Sequence, residues 1–302
     1  KNESVEDIIK HADTAMYNAK ENGRNQISFY LSKMHEKVIQ RLTLEKDLRN
    51  AVKANNLDLY YQPQINRQGD IIAVEALLRW QHPTQGFINP EVFIGIAEDT
   101  GLIYEIGEFV LHKSISDISS INNQFSNQDN EKIHTPLQLS INISPHQFRK
   151  PNFVDIIRTV KDDYQLEKQL LTLELTESIA IDNLDEAVKK FNELRSFGVR
   201  LSLDDFGTGF SSLSHLKRLP LDELKIDKSF VFDIEDDPKD ALLIKTIIKI
   251  AHQFDLEVVA EGVETKEQLA FLQAEHCNIY QGYYYSKPVP LEQLIRLIQR
   301  HI

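Results

Sequence analysis

Apolar residues occur in short runs whose alternate positions are polar, the period of two required by a strand with chemically different faces. In the run 71–79, Glu75 and Arg79 share one side because side chains alternate across a strand. Ser140, Asn142 and Ser144 oppose Leu139, Ile141 and Ile143, while Thr172, Glu174 and Thr176 oppose Leu171, Leu173 and Leu175. Arg200, Ser202 and Asp204 oppose Val199, Leu201 and Leu203; Lys225 lies between Leu224 and Ile226, and Glu261 follows Val258, Val259 and Ala260. The pattern predicts strands near 57–65, 71–79, 138–143, 170–176, 199–204, 222–226, 256–261 and 278–282. Between them the period lengthens. Leu184, Val188, Phe191 and Leu194 mark a helix over 182–197 capped by Asp182 or Asn183, and Leu243, Ile247, Ile250 and Phe254 mark another over 238–254. About eight strands in β-then-α order predict an α/β barrel, because polar strand faces need an enclosed mouth. Functional side chains then belong at the C-terminal ends, with Glu75, Asn142, Glu174, Asp204, Lys225 and Glu261 each late in its strand.

The flanking segments follow other patterns. Asp13–Lys20 is an amphipathic helix stopped at Asn22-Gly23, with no core of its own, and Leu42, Leu44 and Leu48 lie on a charged helix across 31–50. The stretch Asn122–Pro136, rich in Asn, Gln and charge, is expected to be a solvated loop. Glu235–Asp240 is expected to be a loop feeding a helix, and Ser144-Pro145 a helix start.

At 302 residues and 41% hydrophobic content the chain is long enough for one large barrel domain. A formal charge of -12, without basic runs interleaved with aromatics, argues against binding long nucleic acid and leaves room for a small anion if metal ions supply positive charge. Cys277 is alone, which excludes an internal disulfide, and no stretch reaches the roughly 20 apolar residues that span a bilayer. A cytoplasmic setting is the expectation. The first residue is Lys1, so the chain is read as a piece of a longer protein, with membrane attachment of the parent left open.

Glu75, Asn142, Glu174 and Asp204 offer hard oxygen donors from four strands, the ligand chemistry of Mg²⁺ or Mn²⁺. Asp204-Asp205 would set two carboxylates in repulsion unless cations bridge them, and Asp205 with Glu261 completes a second metal. The alternative is that these acids pair with Arg79, Arg200 and Lys225 as structural salt bridges. The segment 205–212 lacks the third glycine of a dinucleotide loop; its glycines instead suit a tight mobile loop held by Thr208, Ser211 and Ser212. No histidines pair at a zinc-site spacing.

Glu75-Ala-Leu-Leu-Arg-Trp80 resembles the signature of the EAL-domain family, bacterial phosphodiesterases of cyclic di-GMP. Tyr61-Gln-Pro63, Ser140-Ile-Asn-Ile-Ser144, Glu174-Leu-Thr-Glu-Ser178, the run Asp204–Leu213, Leu224-Lys-Ile-Asp227, Ala260-Glu-Gly-Val-Glu264 and Gln281-Gly-Tyr283 extend the resemblance in family order. It implies a modified TIM (β/α)8 barrel with one antiparallel strand over 51–302. It also implies two Mg²⁺ or Mn²⁺ ions, the first on Glu75, Asn142, Glu174 and Asp204, the second on Asp204, Asp205 and Glu261. Glu75, Lys225 and Glu261 would be catalytic, Lys225 positioning the attacking water and Glu261 serving as acid/base. Arg79 would grip phosphate, Gln62, Leu77 and Glu264 would contact substrate, and Gln281 matches a site residue of the substrate pocket. Glu177 would anchor the loop through Thr208 or Ser211. Three positions depart from the family pattern: Phe210 for Tyr, Gly95 for Pro and His276 for Gly. Ala12–Asn25 is similar to the last helix and exit of a GGDEF domain, which implies that 1–30 is its remnant, with Ala15 and Tyr17 exposed or artificially docked, and that 31–50 is a connector helix. A homodimer is implied as well. The implied activity is metal-dependent hydrolysis of cyclic di-GMP to linear pGpG; the alternatives are a catalytically silent receptor of that ligand and an enzyme for other phosphodiesters.

Overall fold

The computed structural model describes every residue except 1–3, 22–24, 26, 127–135, 178, 180–182, 208–212, 235–236 and 302. Thr208, Ser211 and Phe210 therefore lie outside the described residues, as does most of the expected loop after Asn122. The strands are β1 (Asp58–Asn66), β2 (Ile71–His82), β3 (Gly86–Ile88), β4 (Gln138–Ile143), β5 (Leu171–Thr176), β6 (Val199–Phe206), β7 (Glu223–Ile226), β8 (Glu257–Ala260), β9 (Ile279–Tyr280) and β10 (Val289–Pro290). The chain divides into two compact units, Lys1–Leu57 with Trp80–Leu102, and Asp58–Arg79 with Ile103–Ile302.

The second unit is a closed barrel. Parallel pairing runs β2-β4-β5-β6-β7-β8-β9, and β1 closes the ring by pairing antiparallel with both β9 and β2. The eight staves and the single antiparallel strand agree with the expectation. Helices α4 (Ile103–Ser126), α5 (Pro145–Arg149), α6 (Phe153–Asp163), α7 (Leu184–Ser196), α8 (Leu213–Arg218), α9 (Lys228–Phe232), α10 (Pro238–Gln253), α11 (Lys266–Ala274) and α12 (Leu291–His301) fall between or after the strands. Leu139, Ile141, Leu171, Leu173, Leu201, Leu224 and Val258 are buried, and the alternating Ser140, Thr172, Glu174, Ser202, Glu223 and Lys225 are buried too. A barrel strand has no wet face, so its polar set must find partners inside.

Local signals set the joints. Ser144 caps α5 in a reciprocal box with Gln147, Asn183 caps α7 by accepting from the Glu186 amide, and Asp237 caps α10 by accepting from the Lys239 amide at 2.8 Å. Tyr61 of β1 donates to Asp117 of α4 at 2.7 Å, and Lys113 bridges the same carboxylate.

Two expectations are corrected. The loop expected from Asn122 begins instead as the last turn of α4, because Ile118, Ile121 and Phe125 continue the buried stripe; Asn122 itself accepts from the Leu137 amide and donates to its carbonyl. Glu75 is not late in its strand. β2 runs on to His82, since its last residues form a hairpin with β3 in the first unit, Trp80 opposite Ile88.

In the first unit, α1 (Val5–Glu21), α2 (Ser32–Lys53) and α3 (Pro90–Thr100) accompany that hairpin. Trp80 meets Phe93 edge-on, and His82 pairs with Asp47 at 3.2 Å. Ala15 is buried, whereas the side chain of Tyr17 lies outside the described set. Leu48 is buried and Leu42 exposed on α2. No helix among the described residues is long and apolar enough to cross a membrane.

Candidate active site

Inward alternation on β2, β5, β6 and β7, with the residue just past β8, brings five side chains to one end of the barrel. Lys225, 1% exposed, is the common neighbour of four carboxylates: Glu261 Oε1 at 2.6 Å, Glu174 Oε2 at 2.8 Å, Asp204 Oδ1 at 3.4 Å and Glu75 Oε1 at 3.8 Å. One ammonium thus faces four acids in a medium where charge is costly. Burial tends to lower the Lys225 pKa, but Asp204, Glu174, Glu261 and Glu75 outweigh it, and the group is held well above the ordinary lysine range.

The acids respond differently. Glu174 is pushed well above the carboxylate range by burial and then by the charge of Glu75. Burial also acts to raise Glu75, yet the attraction of Lys225 and hydrogen bonds from Gln281 and Asn142 prevail and hold it low. Glu261 rises to about 7 through burial, opposed by Lys225 and reinforced by Asp204 and Glu75. Burial and mutual repulsion thus disfavour charge on Glu174 and Glu261, which the single Lys225 ammonium does not offset. Glu174 Oε1, buried, has no hydrogen-bond partner among the described residues.

Those features fit hard divalent cations. The donor set is all oxygen, it carries excess negative charge, and it includes a buried carboxylate oxygen with a vacant coordination capacity. Among the described residues no three acidic, His or Cys side chains already surround one metal-sized point; the carboxylates are drawn onto Lys225 instead. The salt-bridge alternative thus holds for Lys225. It fails for Arg79, which has no carboxylate ion pair among the described residues, and for Arg200, which bonds Glu257 and Glu223 away from Lys225.

Asn142 donates to Glu75 Oε1 at 2.5 Å, and Gln281 to Glu75 Oε2 at 2.5 Å. Asp205 stands apart from the quartet. Strict alternation would send it opposite Asp204, but the register shifts between Leu203 and Phe206, and Asp205 adopts φ 55°, a left-handed conformation that Asp tolerates better than most residues. Its pKa is raised, first by lost hydration and then by Asp204 and Asp227. Arg79 is half-buried with its guanidinium 5.8 Å from the Tyr60 ring centre, and Leu77 pairs with Tyr60 across β1. Glu264 is exposed. Gln62 donates to the Ser286 carbonyl at 3.1 Å, and Glu177 accepts from the Gly207 amide at 3.5 Å.

Gln64 was not among the expected site residues. It is 1% exposed and donates to Gln281 Oε1 at 2.9 Å. Its signal was available, since in the expected strand 57–65 it falls on the same face as Gln62.

Comparison with known proteins gives a consistent result. The EAL domain family matches residues 45–288. The chain is 38% identical over 300 residues to the Pseudomonas aeruginosa protein named cyclic di-GMP phosphodiesterase NbdA, covering 99% of this chain and 37% of that protein. It is 40% identical over 290 residues to the bifunctional diguanylate cyclase/cyclic di-GMP phosphodiesterase MucR of the same organism, covering 96% of this chain and 41% of that one. The chain therefore spans about two fifths of the length of these curated relatives. Among solved structures, the PaMucR phosphodiesterase in complex with c-di-GMP superposes with TM-score 0.78 and 40% identity, over 83% of this chain and 99% of that one. The EAL enzyme Bd1971 in its cAMP-bound form gives TM-score 0.82 and 36% identity, over 88% and 72%.

Proposed function

Because this chain belongs to the EAL domain family, we propose that its barrel hydrolyses cyclic di-GMP to linear pGpG in bacterial second-messenger signalling. The observation that carries the reading is the set of buried acids converging on Lys225, in a chain whose relative MucR is named a cyclic di-GMP phosphodiesterase and has been solved with that ligand. Water's oxygen joins phosphorus, one P–O3′ bond breaks, a proton passes to the departing 3′ oxygen, and the product keeps a 5′-phosphate at one end.

Two Mg²⁺ or Mn²⁺ ions would be held by Glu75, Asn142, Glu174 and Asp204, and by Asp204, Asp205 and Glu261. When bound, such ions supply positive charge to the phosphate and acidify water. Lys225 positions the nucleophile through the ammonium that Glu261 and Glu174 hold in place. Glu261 is the group assigned to move the proton. Arg79, which makes no carboxylate ion pair among the described residues, is available to a phosphate oxygen. Gln62, Leu77 and Glu264 are assigned to the nucleotide, with Gln281. Glu177 is assigned to hold the loop containing Gly207, together with Thr208 or Ser211.

In the parent protein we assign residues 1–30 to the end of a GGDEF domain and 31–50 to a connector, with the barrel domain over 51–302, in a cytoplasmic homodimer. Sedimentation in the ultracentrifuge tests the dimer: a concentration-independent monomer refutes it. The activity is tested by chromatography of cyclic di-GMP after incubation with Mn²⁺, with EDTA, and with Glu75→Ala. Linear product that disappears in both controls is expected, the substitution costing about 1000-fold or more. Binding without product in Mg²⁺ or Mn²⁺ would identify a silent receptor, and equal cleavage of generic aryl phosphodiesters would remove the nucleotide specificity.

A further inference from the structure

We propose that Gln64 is a positioning residue for Glu75, acting through Gln281. The inference deepens the proposed site, since it concerns how one of its carboxylates is held ready for a divalent cation.

Glu75 accepts at both oxygens, from Asn142 on Oε1 and from Gln281 on Oε2. Gln281 turns its Nε2 toward Glu75 Oε2. A second anchor imposes the same orientation. Gln62 gives its Nε2 to the Ser286 carbonyl, another pure acceptor, which leaves Gln62 Oε1 to face Gln281 and take a hydrogen from its Nε2 at 3.2 Å. Both hydrogens of the Gln281 amide are then committed. Its Oε1 is left to accept, and Gln64 Nε2 supplies the donor at 2.9 Å.

The order of donors along this chain follows from the Ser286 carbonyl at its end, which can only accept. If Gln281 turned over, its oxygen would meet Glu75 Oε2 and Gln62 Oε1, both acceptors. Gln64, Gln281 and Glu75 are 1%, 4% and 4% exposed, so bulk water is poorly placed to substitute for a missing donor. Gln64 therefore closes the last unsatisfied position of the amide that orients the carboxylate. Without it, Gln281 either keeps an orphaned buried oxygen or turns over against Glu75.

The test compares Gln64→Leu, which removes the donor at similar volume, with Gln64→His, whose Nε2–H keeps a neutral donor at similar reach. Mn²⁺ affinity by titration calorimetry is the first readout, and kcat and KM for cyclic di-GMP are the second. Partners that orient metal-binding side chains typically govern about 10- to 100-fold in affinity or rate. Gln64→Leu is expected to bind Mn²⁺ at least about tenfold more weakly and to lose kcat by a similar factor with KM nearly unchanged; Gln64→His is expected to recover most of both. Should Gln64→Leu not fold, Gln64→Met, with an unbranched stem, takes its place. Wild-type Mn²⁺ affinity in the donor-less variant, or equal impairment of the donor-keeping one, would overturn the assignment. A wild-type protein that binds Mn²⁺ yet cleaves nothing would refute the phosphodiesterase reading while leaving the calorimetric comparison to decide this one.

Discussion

Glu223 lies two residues before Lys225 on the same inward face of β7, 3% exposed, with the Arg200 guanidinium 3.9 Å away. Burial raises its pKa above the ordinary 4.5, against the opposing pull of Ser202 and Arg200. A carboxyl raised in the folded state is protonated there while its unfolded counterpart is already ionised. Its contribution is thus complete below the unfolded value of 4.5 and is lost as pH rises through the folded one. Glu223→Gln is accordingly expected to raise the melting temperature at pH 8 and to change it little at pH 4, as thermal unfolding at the two pH values will measure. A larger gain at pH 4 would reverse the sign of the argument. The residue scale is also where sequence reading did best on chemistry. Glu75, Glu174, Asp204, Lys225 and Glu261 were legible because each interrupts an apolar run at an inward position. Asp205 was legible as chemistry only, since the backbone turn that moves it out of alternation leaves no composition signal.

At the scale of elements, the loop after β8 and the turn after β9 press together so closely that a side chain on Gly282 has no room. A Cβ there would lie 2.1 Å from the Val263 carbonyl oxygen and 2.3 Å from its nitrogen, both backbone. Val263 and Gln281 are joined by an amide-to-carbonyl bond of 3.1 Å, so displacement would carry Gln281, and with it Glu75. Gly282→Ala is expected to cost roughly 3 kcal/mol in urea unfolding and most of the activity. Strain of another kind sits before β9. His276, where the resemblance expects Gly, adopts φ 66°. His276→Gly is expected to be neutral or to stabilise by about 1 kcal/mol, the released left-handed strain exceeding the lost contact with Arg67 at 3.3 Å. A loss of 1 kcal/mol or more, by the same unfolding measurement, would assign the larger weight to that contact. The end of α4 departs from its composition: the residues after Asn122 are polar, but the helical spacing of Ile118, Ile121 and Phe125 decides the element.

Across the whole molecule, the barrel confines four carboxylates around one ammonium, an excess of negative charge suited to added cations. A ligand that binds the folded chain alone stabilises it by mass action, about 2.7 kcal/mol at 100 times its dissociation constant. Saturating Mn²⁺ is therefore expected to raise the melting temperature by several degrees, and EDTA to reverse it; an unchanged transition would deny the site its cations.

The sequence by itself determined most of the barrel strands, the face of each residue that keeps strict alternation and the chemical type of the site, because alternation is a local property of the backbone. It also carried the family resemblance. What only the tertiary structure decided is which of those residues meet. Gln281 reaches Glu75 across 206 positions and Gln64 across 217, and Lys225 gathers acids from separate strands, through ring closure by the antiparallel β1 and the register of its neighbours. Those contacts depend on packing between distant segments, and no local period encodes them.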